Sequence, residues 1–442
     1  MAPIGRTAAA RGTRAALAAA VLLPLTVAGS ATAASAATAP HAAPQAAPHA
    51  APLPAPAQKK LPEGLYGTAD PEFDGVWRQS LAILAQRTQE LRPAPAAVGF
   101  LTGQQCADGG FAAYRADVAE PCDAAAEDTN ATAAAVQALS AAGGERKAVD
   151  KGVAWLKKIQ NEDGGWGFNP GGPTDANSTA VVVGALAAVG EEPAKTAADG
   201  GSSPYDALAA LQLGCDAEKA ERGAYAYQPE DDGALFPNDY ATAAAVLAGT
   251  GNGLGAGLAE KGAGGGKDEP VEAGACTDDP SPAQAADAGA AYLAQKLAAG
   301  DGHLPMMTGE GPDHNATAVA VLALAAGGHG SAAREPYGWL ERDKSTLAWS
   351  KENPAALATL ILAAAAVDAD PGAFAGDTDL VARLNATGPQ PTAADPAADT
   401  AADEESSDDG GPGVAVWSLL AVGLAAGAGI GLLASARRKR RG

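Results

Sequence analysis

Cationic residues are scarce in this chain of 442 residues. Lysine and arginine together number 30, against 52 aspartates and glutamates, and the formal net charge is −22. A chain this acidic repels the phosphates of nucleic acids and the headgroups of anionic lipids. We therefore exclude both as partners.

Cysteine is also rare, with four residues in the whole chain. If the chain is exported, as its first 36 residues indicate, an even number of cysteines predicts disulfides. Cys106 and Cys122 bracket one turn region, so the predicted pairs are Cys106–Cys122 and Cys215–Cys276. A metal site of thiolates is the alternative, but the sequence has no C-x-x-C pair.

The two ends of the chain have the patterns of export and membrane anchoring. Residues 1–36 carry three arginines, an apolar run and small residues, which is the pattern of a signal peptide. Residues 413–434 are uncharged and long enough for a helix that crosses a bilayer, and the basic run 437–441 follows. This predicts a single-pass membrane protein with its bulk outside the cell and residues 435–442 in the cytoplasm. Glycines spaced for pairing two such helices into a homodimer are Gly423, Gly427 and Gly431.

Two linkers flank a central body. Residues 37–73 are rich in alanine and proline, and residues 389–412 are acidic, so both are predicted to be extended. The body, residues 74–388, is predicted as one domain with a glycine-rich insert at 249–283. A segment of that length is typical of a lid or of an insert without regular structure.

An internal repeat appears when residues 151–170 are aligned with residues 97–114. In each copy an aromatic-leucine pair precedes a glutamine by five positions, and Asp-Gly-Gly-aromatic follows. The glycines allow the positive φ of a sharp reversal. The final aromatics, Trp166 and Phe111, are interpreted as structural residues that hold this turn against the next hairpin.

Each repeat continues into a run of small and aliphatic residues. Five such runs begin near residues 127, 173, 236, 311 and 351, open with a helix-capping residue and usually end in glycine. A short helix that is apolar all round must be buried, whereas the helix before it is amphipathic. The pattern predicts an all-α fold of five to six helical hairpins, with inner and outer rings of helices, and one C-terminal transmembrane helix. The segment 74–91 is interpreted as one more outer helix.

The run Lys151-Gly152-x-x-Trp155-Leu156-x-x-x-Gln160-x-x-x-Gly164-x-Trp166 resembles the Gln-Trp repeat of squalene–hopene cyclases. With the inner helices, it makes the body similar to the prenyltransferase/squalene-cyclase superfamily of α/α toroids, as a secreted, membrane-anchored member of the type seen in actinobacteria. The resemblance implies this fold more strongly than a function. The same toroid serves terpene cyclases, protein prenyltransferases, complement thioester domains and cobalamin-binding proteins.

Motifs of the reactive relatives are missing from the sequence. The Asp-x-Asp-Asp acid of terpene cyclases and the Cys-Gly-Glu-Gln thioester are absent, and few histidines remain for a zinc site. Aromatic residues, which hold cations in cyclase cavities, make up 5% of the chain. The sequence therefore favours a non-catalytic protein.

One polar pattern recurs where the inner helices begin, as Asp-x-Asn-x-Thr. N-capping is its simplest role, yet one cap residue is sufficient and here two polar positions recur. In a toroid the inner helices begin at one rim, so these side chains are predicted to surround the mouth of a ligand-binding cavity. The candidate residues are Asp128, Asn130, Asp175, Asn177, Asp239, Tyr240, Asp313, His314 and Asn315. A metal ion or a corrin cobalt is the less favoured partner of His314, for which an ordinary polar rim position is the simpler interpretation.

These patterns lead to three hypotheses for function. The first is a surface-displayed protein that binds a small molecule or cofactor in the toroid, with a corrinoid as one candidate by analogy. The second is a glycan hydrolase or lyase that uses Asp128 and Asp175 as acid and base. The third is a scaffold for protein partners, which predicts a collapsed cavity packed by leucine and valine. No cofactor can be assigned from the sequence.

Overall fold

The computed structural model describes residues 61–198, 201–255, 274 and 277–393. The predicted signal peptide, membrane span, cytoplasmic tail and most of both linkers lie outside these residues, as does the homodimer motif. The chain divides into the units Met1–Gln58 and Lys59–Gly442, and all described residues belong to the second. No helix of the described part is long and apolar enough to cross a membrane.

Helices are nearly the only regular secondary structure among the described residues, which confirms the all-α class. The only strands found in them are β1 (Leu91–Arg92) and β2 (Thr392–Ala393), which pair antiparallel. The helices are α1 (Gly75–Thr88), α2 (Pro95–Gly103), α3 (Thr129–Ala142), α4 (Arg146–Lys158), α5 (Ala176–Ala188), α6 (Pro204–Ala210), α7 (Asp239–Gly249), α8 (Pro282–Ala299), α9 (His314–Ala326), α10 (Gly330–Arg342), α11 (Lys344–Trp349), α12 (Pro354–Ala366) and α13 (Leu380–Asn385). Two 3₁₀ turns, Pro193–Lys195 and Pro371–Ala373, lie between them.

Six helices form a closed inner ring. In succession α1, α3, α5, α7, α9 and α12 contact one another, and α12 contacts α1 again. Their residues are buried on nearly every side, and alanine predominates among them, so neighbouring backbones approach closely. This is the arrangement that the Gln-Trp resemblance implies.

The remaining long helices pack outside this ring. Helix α4 shows the reason, because Val149, Val153 and Leu156 are buried while Lys157 and Lys158 are exposed. Each outer helix returns along the inner helix that precedes it, so the inner helices run parallel and begin at the same end of the ring. We call this end the rim.

The prediction that the segment 74–91 is an outer helix is wrong. The segment forms α1, which lies in the inner ring between α3 and α12. Its polar residues suggest an exposed helix face, but in the structure they are buried and paired within the protein. Gln79 bonds the backbone of Tyr66 and Ala97, and the Arg78 guanidinium donates to the Ala69 carbonyl.

The repeated turn is held by its glutamine. The Gln105 amide donates to the carbonyl of Gly109 within its own turn and to that of Ala148 on the next outer helix, at 3.0 and 2.8 Å. Gln160 donates to the Gly164 carbonyl in the same way, at 2.7 Å, and its second acceptor is the Thr196 carbonyl beside the 3₁₀ turn, at 3.4 Å. Gly109 has a φ of +111°, and an added Cβ would lie 2.3 Å from the Lys151 carbonyl oxygen, so only glycine fits there.

The turn aromatics Phe111 and Trp166 are fully buried in the core between the two rings. The indole of Trp166 donates to the Leu156 carbonyl at 2.8 Å, and its backbone N–H donates to Thr179 at 3.0 Å. The Phe111 N–H bonds Thr132 in the same way, so the threonine of each Asp-x-Asn-x-Thr element joins the turn to its inner helix.

One predicted disulfide lies wholly within the described residues. Cys106 and Cys122 are bonded, with 5.8 Å between their Cα atoms. Both sulfurs are therefore unavailable as thiolate metal ligands, although Glu127 lies beside them. Cys215 is also disulfide-bonded, and its predicted partner, Cys276, lies outside the described residues.

Candidate functional site

The inner ring encloses a cavity of about 280 Å³. Its wall is mainly apolar and receives residues from five inner helices and from the loops of the rim. The lining residues are Phe73, Asp74, Trp77, Ala113, Asp128, Asn130, Ala131, Phe168, Asn177, Ala180, Val181, Tyr240, Ala244, Leu247, Gly253, Leu254 and Val319. The Leu- and Val-packed centre expected of a pure scaffold is thus not what the ring contains.

Four of the nine predicted site residues line this cavity: Asp128, Asn130, Asn177 and Tyr240. They come from three successive inner helices, and all lie near the helix N-termini. The recurrent polar positions of α3, α5 and α7 therefore meet at the rim.

Asp128 is the N-cap of α3 and is 6% exposed. Its Oδ1 accepts a hydrogen bond from the Ala131 N–H at 2.8 Å. Burial raises the pKa of this carboxyl to about 6, although bonds from the backbone of Ala131 and Asn130 favour the charged form. Asp128 can therefore exchange a proton near neutral pH.

Asn130 and Asn177 occupy the equivalent second position of their helices. The Oδ1 atom of each is buried and has no hydrogen-bond partner. An amide turns its oxygen or its nitrogen to a neighbour by a 180° rotation. Both side chains therefore hold unused hydrogen-bonding capacity in the cavity wall.

Tyr240 lines the cavity from α7, and its hydroxyl is hydrogen-bonded to the side chain of Asn315 on α9. Burial raises the pKa of this phenol, so Tyr240 stays neutral at physiological pH. Asn315 thus acts on the site through Tyr240 and does not line the cavity.

Asp175 does not line the cavity, although its position matches that of Asp128. It is 0% exposed, and Ser178 donates to both of its oxygens, through the backbone N–H and the side-chain hydroxyl, each at 2.8 Å. Burial raises its pKa as well. These bonds make Asp175 a helix cap.

Asp239 and Asp313 are likewise engaged elsewhere. Asp239 accepts a hydrogen bond from the Tyr292 hydroxyl at 2.6 Å, and Lys296 lies 4.0 Å away. Asp313 caps α9 by accepting from the Ala316 N–H at 2.8 Å. Neither is among the lining residues.

His314 lies in a separate cluster at the start of α9. Its Nε2 lies 3.0 Å from an Asp343 carboxylate oxygen and 2.9 Å from the Ser345 hydroxyl. The ring also stacks on Trp349, with 5.4 Å between centroids, and contacts Trp339. Because both oxygen partners meet the same nitrogen, the arrangement differs from a catalytic Ser-His-Asp relay, in which they bind opposite nitrogens.

Sequence reasoning missed the aromatic part of the site. Phe73, Trp77 and Phe168 line the cavity beside Tyr240. Phe168 lies in the repeated turn, only two residues beyond the recognised Trp166. Phe73 and Trp77 were missed because the segment that begins α1 was placed in the outer ring.

The floor of the cavity was also missed. Gly253 and Leu254, the first part of the glycine-rich insert, line it together with Leu247. The Leu254 N–H donates to the Gln137 side chain at 2.8 Å, and Gln137 donates to the Val181 carbonyl at 3.2 Å. Gln137 is nine residues beyond Asp128 in α3, so the floor lies about 13 Å below the rim at a rise of 1.5 Å per residue.

No protein-family model and no curated protein matches the sequence. Among solved structures, the chain is similar to an ent-copalyl diphosphate synthase from Streptomyces platensis (18% identity, TM-score 0.42), covering 66% of this chain and 50% of that one. It is also similar to a protein from Actinoplanes (17% identity, TM-score 0.30), covering 65% of this chain and 99% of that one. The chain thus spans half the length of the synthase, and similarities this low carry no argument about activity.

Proposed function

We propose that this chain is a non-catalytic binding protein that holds a small, largely apolar molecule in the cavity of its inner ring. The cavity of about 280 Å³ is the observation that carries the proposal. An apolar, concave space with a few polar groups near its mouth is the usual form of a small-molecule site. We further propose, from the two ends of the sequence, that the protein displays this site outside the cell on a membrane anchor.

The size of the cavity favours a compact ligand. Binding sites for drug-sized molecules run from about 300 to 1,000 Å³, so this one lies at the small end. A corrin macrocycle with its side chains is too large for it. The corrinoid analogy therefore receives no support from the geometry.

The glycan hypothesis is disfavoured by the environment of Asp175. A pair of catalytic carboxyls must both reach the scissile bond. Asp128 lines the cavity, but Asp175 is fully buried and both of its oxygens are occupied by Ser178. Asp175 therefore cannot contact a substrate in the cavity.

A second candidate function is docking of a protein partner at the rim. Phe73, Phe236 and Met307 are 85%, 62% and 71% exposed, and each lies in a loop that precedes an inner helix. Exposed apolar groups at one end of a molecule are common at interaction sites. The open cavity nevertheless favours small-molecule binding as the main function.

Titration of the full chain with N-phenyl-1-naphthylamine tests the proposal, because the fluorescence of this neutral probe rises in an apolar site. We expect saturable binding that is lost in Ala244→Phe, which fills the cavity from α7. Ala154→Phe, at an exposed position of α4, is the matched control and should bind as the unmodified protein does. Thermal melts establish that both variants fold. Absence of saturable binding, or equal binding by a folded Ala244→Phe variant, would reject the proposal.

A further inference from the structure

The cavity combines aromatic rings with negative charge. Phe73, Trp77, Phe168 and Tyr240 line it, and its charged lining residues are two carboxylates, Asp74 and Asp128. No lysine, arginine or histidine is among the lining residues in the described part of the chain. The faces of aromatic rings attract cations, most strongly where water is excluded. Trp77 and Tyr240 are therefore the stronger partners, since Phe73 and Phe168 are 85% and 49% exposed.

The two carboxylates differ in their partners. Asp74 lies 3.5 Å from the Arg78 guanidinium, which neutralises part of its charge. Asp128 is nearly buried, and its described bonds come from backbone N–H groups at the start of α3. A buried carboxylate is costly unless an opposite charge reaches it. Asp128 is therefore the group that a positively charged ligand would stabilise.

We infer that the ligand is an organic cation, a quaternary or protonated amine with an apolar body, held by the aromatic rings and by Asp128. This inference rests on the proposed function, since it names the ligand class of the same cavity. The cationic group belongs near the rim, where the carboxylates and Phe168 lie. The apolar body points toward Leu247 and Leu254 at the floor.

The helix dipoles are the main opposing effect. Inner helices direct their partly positive N-termini to the rim, an arrangement that by itself favours anions. At α3, α5 and α7, however, the caps Asp128, Asp175 and Asn238 already accept from first-turn N–H groups. An incoming anion would lose these donors and meet the carboxylates as well. The remaining field at the cavity favours a cation.

An isosteric pair of probes separates charge from shape. Phenyltrimethylammonium and tert-butylbenzene have the same outline and differ by one positive charge. Displacement of N-phenyl-1-naphthylamine from the full chain measures the affinity of both. We expect the cation to bind at least tenfold more tightly, and Asp128→Asn to reduce that preference to less than threefold. Asp379→Asn, at the exposed N-cap of α13, should keep the preference.

The outcomes distinguish this inference from the proposal on which it depends. Equal affinities for the two probes in the unmodified protein would overturn the cation assignment and leave an apolar binding site. A cation preference that survives in Asp128→Asn would likewise overturn the role of Asp128. Binding of neither probe, together with failure of the neutral naphthylamine to bind, would instead remove the proposed function itself. Asparagine caps α7 and α12 in this chain, so Asp128→Asn retains a suitable cap for α3.

Discussion

Asp128 caps α3 and lies in the wall of an apolar cavity, and these two roles act on its pKa in opposite directions. The backbone bonds of a cap favour the carboxylate, whereas burial favours the neutral acid. Burial dominates, because the pKa rises to about 6. At neutral pH the carboxylate of Asp128 is thus less stable than that of an exposed aspartate, which is typical of groups at binding sites.

This raised pKa predicts a pH-dependent stability. The folded protein binds the proton of Asp128 more tightly than the unfolded chain, so its contribution is fully present below about pH 4 and is lost as the pH rises through about 6. A shift from 3.8 to about 6 corresponds to about 3 kcal/mol. Between pH 4 and 7 the unfolding free energy of the unmodified protein, measured by denaturant unfolding, should fall by about 3 kcal/mol more than that of Asp128→Asn. If the unfolding free energy of Asp128→Asn changes with pH as much as that of the unmodified protein, Asp128 is not the source of the pH dependence. Asp379→Asn serves as the control.

The buried threonine of the repeat gives a second prediction. Replacing Thr179 with valine removes the acceptor of the Trp166 N–H, which then lies buried and unpaired. The expected loss is about 1–3 kcal/mol of unfolding free energy, measured by urea denaturation. Thr359→Val is the comparison, because the Thr359 hydroxyl donates to the Ala355 carbonyl of its own helix, so a smaller loss is expected. Equal losses in the two variants would show that the bond from the Trp166 N–H to Thr179 stabilises the fold no more than the bond of Thr359 within its own helix.

At the scale of elements, the segment after α7 does more than connect two helices. Its first residues enter the ring and form the cavity floor, where Gly253 packs against the backbone of Gly184. A Cβ at Gly253 would lie 2.3 Å from the Gln137 side-chain oxygen and 2.8 Å from the Gly184 Cα. The floor is thus sensitive to a single methyl group.

Gly253→Ala should therefore loosen the floor. We expect a loss of about 1–3 kcal/mol from overpacking, and faster amide exchange at Leu254, whose N–H bond to Gln137 would break. Gly99→Ala is the control, since an added Cβ there meets nothing within 4 Å. Unchanged exchange at Leu254 in Gly253→Ala would show that the floor does not depend on this close packing.

The disulfide between Cys106 and Cys122 also stabilises the connection between elements. It closes a loop of 16 residues next to the first repeated turn. In the chain-entropy estimate a loop of this length contributes about 3 kcal/mol. The double variant Cys106→Ala/Cys122→Ala should lose that amount in chemical denaturation relative to the oxidised unmodified protein. A loss below about 1 kcal/mol would indicate that the turn is held mainly by its hydrogen bonds.

Sequence patterns were informative where one physical effect acted alone. The capping residues, the glycine turns and the fully apolar helices each have a local cause, so the alternation of inner and outer helices could be predicted. Helix α1 could not, because its buried polar residues Gln79 and Gln86 are satisfied by tertiary partners. Gln79 donates to the Ala97 carbonyl of α2, and Gln86 donates to Asn385 of α13, which only ring closure brings near. Asp128 and Asp175 have the same local pattern, and only tertiary packing makes Asp128 line the cavity and buries Asp175 against Ser178.

The aromatic content shows the same limit. The low overall fraction of aromatic residues argues against an aromatic cavity, yet four aromatic rings line this one. Composition reports an average over the chain, whereas a site depends on where a few residues meet. The predicted export and anchoring lie outside the described residues and stay predictions.

At the scale of the whole molecule, the two ends of the described body are joined. Strands β1 and β2 pair, and the Tyr66 hydroxyl donates to the Pro389 carbonyl at 2.7 Å while accepting from Gln86 at 2.9 Å. Helices α1 and α12 then pack side by side. Closure of the ring therefore depends on contacts between residues more than 300 positions apart.

Tyr66→Phe tests this closure. The variant leaves the Pro389 carbonyl and the Gln86 amide without the hydroxyl, which should cost about 1–3 kcal/mol. Because the ring is continuous, we expect the loss to lower the single midpoint seen by both tryptophan fluorescence and far-ultraviolet circular dichroism. Separate midpoints for the two probes would show that the ring does not unfold as one cooperative unit.

Ring closure also limits how such a chain can diverge. An open solenoid can gain or lose a repeat, because each unit contacts only its neighbours. Adding a seventh inner helix here would change the angle between every neighbouring pair and would separate β1 from β2. Duplication of a whole hairpin is therefore a poor route to new properties in this architecture. Lengthening of loops is the tolerated route, and the segment after α7, which already supplies Gly253 and Leu254 to the cavity, is its example in this chain.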